Sequence, residues 1–549
     1  MAQGWNINAT TDQITFLEAP AAGTNNIVVK EFAASAVGGT DVWAVGAWSA
    51  RYGYPSEVEF FSDRLWLAGT ASEPQRIDAS AIGDYTNFGR SSPIVDSDSV
   101  SFTINARQVN AVKDLVPLDS LLVLTTGGEW KTTGGQNEVI TPSTIGVKPQ
   151  SYHGTGDIPA KVLGESAIFV QEQGQRIRDL GYQFEKDGFR GNEISVWADH
   201  LFTGYRVVGI EQSRSPYPVL WFPRDDGQLN ACTYMPEQEI VGWHPHDTDG
   251  KVLDVCVLPG EMEDEVYLLV EREIDGNTVQ YIEQLADFRV LDQRECIYMD
   301  SALTYDGRND SATTVTLADA GNGWGSNVAL TLTASASLFI GTSDEGDGFE
   351  IEVSGERLRV IIDAYVSATT VSVYATSDVP VEMRNVALTD WTFQRNTIAG
   401  LGHLEGKELS ILADGTVHPR RTVTGGSITL DRPHGIVNVG LPYRGHVETL
   451  ELNVPGGEPV RAQKKLAYKV AIQVLDSRGI KSGTRLDELD EFPQRQFEDY
   501  DEPISRYSGT LELNMTAGWG EENGRVHIVS DDPLPMELLG IIVKAAASD

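Results

Sequence analysis

With 549 residues, 42 of them basic and 80 acidic, the chain carries a net charge of −38: it is too long for one ordinary core and too acidic to grip free nucleic acid by its phosphates. Its cysteines, Cys232, Cys256 and Cys296, cannot all pair within one chain and lack the close spacing of zinc or redox motifs, so they read as reduced core residues. No apolar run reaches the roughly 18 residues of a membrane span, and AQGWNINAT after Met1 has neither the basic start nor the apolar stretch of a secretory signal, which points to synthesis in a cytosol.

In chain order, turn signals come first: 54 glycines and 24 prolines punctuate the sequence, and no long segment shows helical periodicity. The expected fold class is all-β. Gln13 to Phe32 reads as two strands about an Ala-Pro-Ala-Ala-Gly-Thr turn, a small amino-terminal β module within residues 1–40. From 41 to 300, strand clusters recur in units of about 45 to 58 residues, the length of a four-stranded blade, and predict a β-propeller-like array. The opening strands are expected near Val58, Val112, Lys161, Val207 and Leu253, with Trp66, Leu67 and Tyr85 packing the first blade. Gly127-Gly128 and Gly134-Gly135 read as hairpin turns around Glu129-Trp130-Lys131.

A Thr- and Ser-rich stretch, 301–396, reads as an inserted β barrel or sandwich domain. Within it Phe349, Ile351 and Val353 alternate with Glu350 and Glu352. Residues 397–549 read as a further carboxy-terminal β region that completes the platform and propeller. There Leu466, Tyr468, Val470, Ile472 and Val474 fall on one face of a strand, and the acidic LDELDEFPQRQFEDYDEP from Leu486 is expected to be an exposed loop.

Chemistry-bearing patterns are sparse. In Trp243-His244-Pro245-His246-Asp247, two histidines at i and i+2 could share a metal on a strand face, but Pro245 and the following Thr-Asp-Gly favour a turn. Glu172, Asp179, Asp225, Asp226, Glu263 and Asp264 fall near strand ends, where a propeller hydrolase would hold its acids, and nothing selects a pair. Trp130, Trp221 and Trp243 could stack on sugars. Phosphate-binding glycine loops and the serine-esterase elbow are missing. The basic run from Arg461 to Lys469 reads as the wet face of a strand. The sequence assigns no catalytic residue, cofactor or metal site.

Several ordered blocks carry a resemblance. They are Val58 to Phe88, LVPLDSLLVLTTGGEWKTTGG, ITPSTIGVKPQSYHG, GESAIFVQEQGQRIRDLGYQFEKDGFRGNEIS, VLWFPRDDGQLNACTYMPEQEIVGWHPHDTDG and GLGHLEGKELSILADGTVHPRRTVTGGSITLDRP. Together, from about Tyr54 to Met299 and Ile398 to Ile542, the chain resembles the tail nozzle proteins of short-tailed bacteriophages, also called tail tubular protein B or phage stabilisation protein. The resemblance implies a non-enzymatic virion structural protein: a homohexamer below a tail adaptor ring (tail tubular protein A-like), with tail fibres nearby, host-surface contact, and genomic DNA passing through its channel during ejection. It implies a location in the virion tail after synthesis in the host cytoplasm. The family begins with a further region upstream of the blades, where this chain has instead the short β module, which resembles adaptor-like amino-terminal pieces of phage tail fibres, and the stretch from Gly307 to Trp391 lies outside the resemblance. The alternative is a carbohydrate-binding or glycan-hydrolysing tail protein.

Overall fold

A computed structural model describes residues 5–8, 13–16, 47–105, 110–135, 139–452, 463–493, 503–516, 518–520 and 524–547. Almost all regular structure is antiparallel strand; among the described residues the α-helix is a single turn, Asp199–Phe202, accompanied by short 3-10 turns. The chain divides into two compact units, residues 1–246 with 251–270 and residues 247–250 with 271–549.

In the first unit the inner strands are buried on both faces. Four sheets follow one another as four-stranded meanders in chain order, opening with Glu57–Phe61, Val112–Pro117, Lys161–Leu163 and Glu211–Ser213. A three-stranded sheet of Lys251–Pro259, Asp264–Ile274 and Asn277–Gln284 comes next in chain order, its last strand falling in the second unit. In Leu121–Thr125 all five residues are buried. Period-two alternation sends Leu121 and Val123 into a cluster with Trp66, Ile77 and Val100 of the first sheet, and Leu122 and Leu124 into one with Ala167, Phe169 and Leu180 of the third. Ser166–Val170 repeats the division, its Ile168 and Val170 packing with Leu220, Phe222 and Cys232 of the fourth sheet. Trp221, Leu229 and Ala231 then meet Val252, Val255 and Val266.

Four expected opening positions, Val58, Val112, Lys161 and Leu253, fall inside opening strands. Val207 precedes its sheet and makes an isolated bridge to Arg224. The amino-terminal hairpin pairs Trp5–Asn8 with Gln13–Phe16, so the strand at Gln13 takes its partner from upstream; Ile27 to Phe32, the expected partner, lies outside the described residues. Trp66 is buried and donates from its indole to the carbonyl of Phe61 at 2.9 Å, whereas Leu67 is half-buried and Tyr85 exposed, set edge-on to Phe60. Cys232 and Cys296 are buried and Cys256 is exposed, because alternation in Lys251–Pro259 turns its side chain away from Val255 and the apolar cluster.

In the second unit an eight-stranded antiparallel sheet runs in the order Ala387–Leu388, Val315–Asp319, Ala329–Ala334, Thr370–Ala375, Glu356–Ser367, Gly348–Val353, Trp391–Ala399 and Ser427–His434. Phe349 and Ile351 are buried and Glu350 and Glu352 half-buried, as the alternation requires. Phe349 stacks on Phe393 with centroids 4.6 Å apart and planes 9° from parallel, at the heart of the largest apolar cluster. A four-stranded sheet joins Met299–Asp306, Ile436–Pro442, Glu408–Ala413 and Thr416–Thr422, and two further sheets share one core through Val470, Ile472, Val474, Ile480 and Ile528.

Three expectations in this unit change. In Lys465–Ser477 the register slips between Ala467 and Lys469, so the buried face switches parity. Ala467, Val470, Ile472 and Val474 go inward while Tyr468 is exposed. The same slip buries Lys465, whose ammonium pairs with Glu451, so the basic run is not a wholly wet face; Arg461 and Ala462 lie outside the described residues. The acidic stretch from Leu486 is not all loop: Glu488–Glu491 pairs with Ile480–Arg485 and Phe492 is buried, while 494–502 lies outside the described residues.

Truncating Phe349 leaves a cavity between Phe393 and Trp391. Phe349→Ala is expected to destabilise the second unit by about 3–5 kcal/mol, read from urea unfolding; a loss below about 1 kcal/mol would contradict the packing described.

Candidate functional site

The strand ends of the first unit converge on a polar cleft, and a buried carboxylate makes it. Glu129, fully buried in Gly128–Thr133, accepts from the Ser151 hydroxyl and from the backbone N–H groups of His153 at 3.3 Å and Gly154 at 2.8 Å. This draws residues 151–154 against the Thr126-Gly127 turn. Gly154 has φ +76°, and a Cβ there would run into the Thr126 carbonyl. Thr155 N–H then donates to Thr125 O at 2.9 Å and Gly156 N–H to Val170 O at 3.1 Å, bringing Asp157 beside the next hairpin turn. The cleft, about 500 Å³, is lined by Lys113, Thr155, Asp157, Glu172, Gln173 and Arg206, among others. Lys113 pairs with Asp157, Arg206 donates from its guanidinium to the Glu172 carbonyl at 3.3 Å, and its backbone N–H reaches Asp225 at 3.0 Å. The lining holds no histidine or thiol; its lysine is paired with an acid, and the Arg206 guanidinium is turned onto a backbone carbonyl. It suits binding of a small polar group better than acid–base chemistry.

The other sequence-selected carboxylates are not brought together. Asp179 accepts from the phenol of Tyr234, which burial and that carboxylate push up in pKa. Asp226 takes both ends of the Arg224 guanidinium, at 2.9 and 2.5 Å, and this pairing holds it below the usual carboxylate range. Asp264 accepts from the backbone N–H groups of Arg214 at 2.5 Å and Ser215 at 3.2 Å. Glu172 lines the cleft, and Glu263 lies beside Asp264 with its own partner. Trp130 and Trp221 are buried, and Trp243 packs between Phe202 and Phe222 while donating to the Ile194 carbonyl at 2.9 Å, so these rings hold cores and offer sugars no open face.

His244 and His246 do not form a turn. Both lie in the strand Ile240–His246, which Pro245 tolerates as the sheet's edge, and alternation places the rings together. His244 Nδ1 is 2.8 Å from His246 Nε2, His244 Nε2 is 3.3 Å from the Thr233 hydroxyl, and Trp221 packs on His246. One ring donates the shared proton and the other accepts it. Burial, and secondarily the neighbouring His244, lowers His246 to about 4; burial lowers His244 as well.

Sequence reading missed a second histidine group. His446, Glu448 and His527 come together in the second unit across two paired strands, with their ligand-capable atoms all within 4.8 Å of one another. The signal was the alternating His-x-Glu of Gly445–Glu448; its partner stands 79 residues beyond Glu448, and only strand pairing brings it in.

No protein-family model and no curated protein matches the chain. Among solved structures, it is similar to Chaetomium thermophilum Raptor at 11% identity and a TM-score of 0.27, over 59% of this chain and 28% of that one. It is also similar to a luciferin-regenerating enzyme at 11% identity and a TM-score of 0.19, over 43% of this chain and 92% of that one. The chain spans under a third of the Raptor chain. These scores are too low to assign a fold family or a function.

The unfolded chain binds a proton at His246 between about pH 6.5 and about pH 4 that the folded chain refuses, so folding stability falls as pH drops through that window. His246→Phe should flatten the fall in melting temperature between about pH 7 and about pH 5 relative to the parent. An unchanged slope would mean that this imidazole titrates normally in the fold.

Proposed function

We propose that this chain is a structural subunit of a short-tailed phage tail, a nozzle that assembles as a homohexamer beneath an adaptor ring, with tail fibres nearby, and conducts genomic DNA. The observation that carries the reading is the serial stacking of the sheets between Glu57 and Gln284: five consecutive antiparallel sheets, each sharing an apolar cluster with the next. Serial stacking is how blades of a propeller-like array pack. All but the last of the ordered sequence blocks that resemble nozzle proteins run through this same stretch of chain.

Two further features support a conduit. In the cleft Lys113 is paired with Asp157 and the Arg206 guanidinium is turned onto the Glu172 carbonyl, and the net charge of −38 leaves a polyanion few sites to adhere to. The first sheet ends the stack with an exposed apolar face, where Val58, Phe60, Ile82 and Tyr85 meet solvent. A cyclic assembly of identical subunits needs such a face for heterologous contact with the next copy. The carbohydrate reading gains nothing from the buried tryptophans.

Mixed with its adaptor partner, the chain should form six-fold rings in electron micrographs, and Phe60→Asp should abolish the rings while leaving circular dichroism and melting temperature within error of the parent. A strictly monomeric parent in intact particles would sink the proposal.

A further inference from the structure

The group formed by His446, Glu448 and His527 has the geometry of a metal centre, independently of the nozzle reading. Gly445–Glu448 is the edge strand of a four-stranded sheet and pairs antiparallel with His527–Ser530 through four residue pairs. Glu448 stands directly opposite His527. Alternation puts His446 on the same face as Glu448, and the diagonal neighbour across the ladder is His527. The rings lie 27° from parallel with centroids 5.3 Å apart, and His446 Nε2 is 3.1 Å from His527 Nδ1.

That separation decides what the pair can do. Two imidazole nitrogens bound at about 2.0–2.1 Å to one ion, at angles between a right angle and tetrahedral, lie about 2.8–3.4 Å apart. The observed spacing therefore fits two ligands of one cation without moving either strand, and the carboxylate of Glu448 is within reach as the third. Arg525 donates to Glu448 Oε1 at 2.5 Å, the kind of outer hydrogen bond that orients a ligating carboxylate, and Thr449 Oγ1 accepts from Val526 N–H at 3.0 Å to fix the chain just before His527. His446 and Glu448 are exposed, so water can complete the coordination.

We propose that His446 Nε2, His527 Nδ1 and a carboxylate oxygen of Glu448 bind one divalent first-row transition cation, of which zinc is the best match to two imidazoles and a carboxylate in an open site. The ion adds a clip between the edge strand and its neighbour, beside the ladder and the Arg525–Glu448 pair.

The test uses the full chain stripped with a chelator. Calorimetric titration with Zn²⁺ should give one ion per chain and raise the melting temperature, and Co²⁺ should give visible d–d absorption. His446→Ala and His527→Ala should each abolish stoichiometric binding, and Glu448→Gln should weaken it at least about tenfold. A double His244→Ala, His246→Ala variant should bind as the parent does. Absence of a stoichiometric site, or binding retained without His446 and His527, would overturn the assignment. X-ray absorption of the Zn²⁺-loaded parent avoids any folding defect of the variants: a first shell with two imidazoles supports the site, and a shell of oxygen alone refutes it.

Discussion

Burial of both faces of the same strand is the constraint on which the first unit depends. A strand exposed on one side needs apolar residues at every second position, whereas Leu121–Thr125 and Ser166–Val170 are buried throughout and must satisfy two neighbours at once. Because side chains alternate, odd and even positions answer to different sheets: Leu121 and Val123 to the sheet before, Leu122 and Leu124 to the sheet after. A one-residue slip in such a strand would exchange its two faces and misfit both cores, so register is specified twice over. Each inner sheet can exist only between its neighbours, which makes the series, and not the single sheet, the unit of stability.

Stacked apolar faces leave the polar backbone of the connections to be settled at the strand ends, and buried charges do this. Arg64, almost wholly buried, donates to the carbonyls of Ser80 at 2.5 Å, Asp98 at 2.6 Å and Asp96 at 3.0 Å, tying a long connection to the first sheet. Glu129 does the converse with backbone donors in the second sheet. In the second unit Asp414 accepts from His434 Nδ1 at 2.9 Å and from the N–H groups of Gly435 and Ile436, and these bonds outweigh burial in holding its pKa down. An unmade hydrogen bond at any of these buried groups would cost about 1–3 kcal/mol. The side chains that look most like chemistry in the sequence are therefore largely committed to the fold.

What was legible in the sequence follows from what is local. All-β character and the opening strands at Val112 and Lys161 rest on alternation and turn residues, which act over a few positions. Features set by pairing between distant strands were hidden. The bulge near Tyr468 that reverses the buried face appears only against Glu537–Ala547, and the strand that carries His244 and His246 is kept extended by Leu229–Met235 despite Pro245. The His446–Glu448–His527 group belongs to the same class, since its register is fixed by a ladder between segments far apart in the chain. The strand-end carboxylates were visible as residues, but their partners, such as Tyr234 for Asp179, were not.

The charge imbalance takes on structural meaning once the cations are followed to their partners. Arg272 is buried between Glu283, at 2.6 Å, and Asp300, at 2.8 Å, and also donates to the Asp249 carbonyl at 2.9 Å. Arg224 is held by Asp226, Arg294 by Asp292, and Arg308 by Asp306 and Glu295. Cations drawn into such pairs are not available to phosphates, while acids outnumber bases 80 to 42 and leave the chain at a net charge of −38. A surface whose excess is acidic and in which arginines such as these are turned inward or paired repels a polyanion at range and offers it fewer charge-assisted hydrogen bonds on contact. Stability and non-adhesion then come from one arrangement: each carboxylate that secures an arginine in the fold also removes a phosphate donor from the surface.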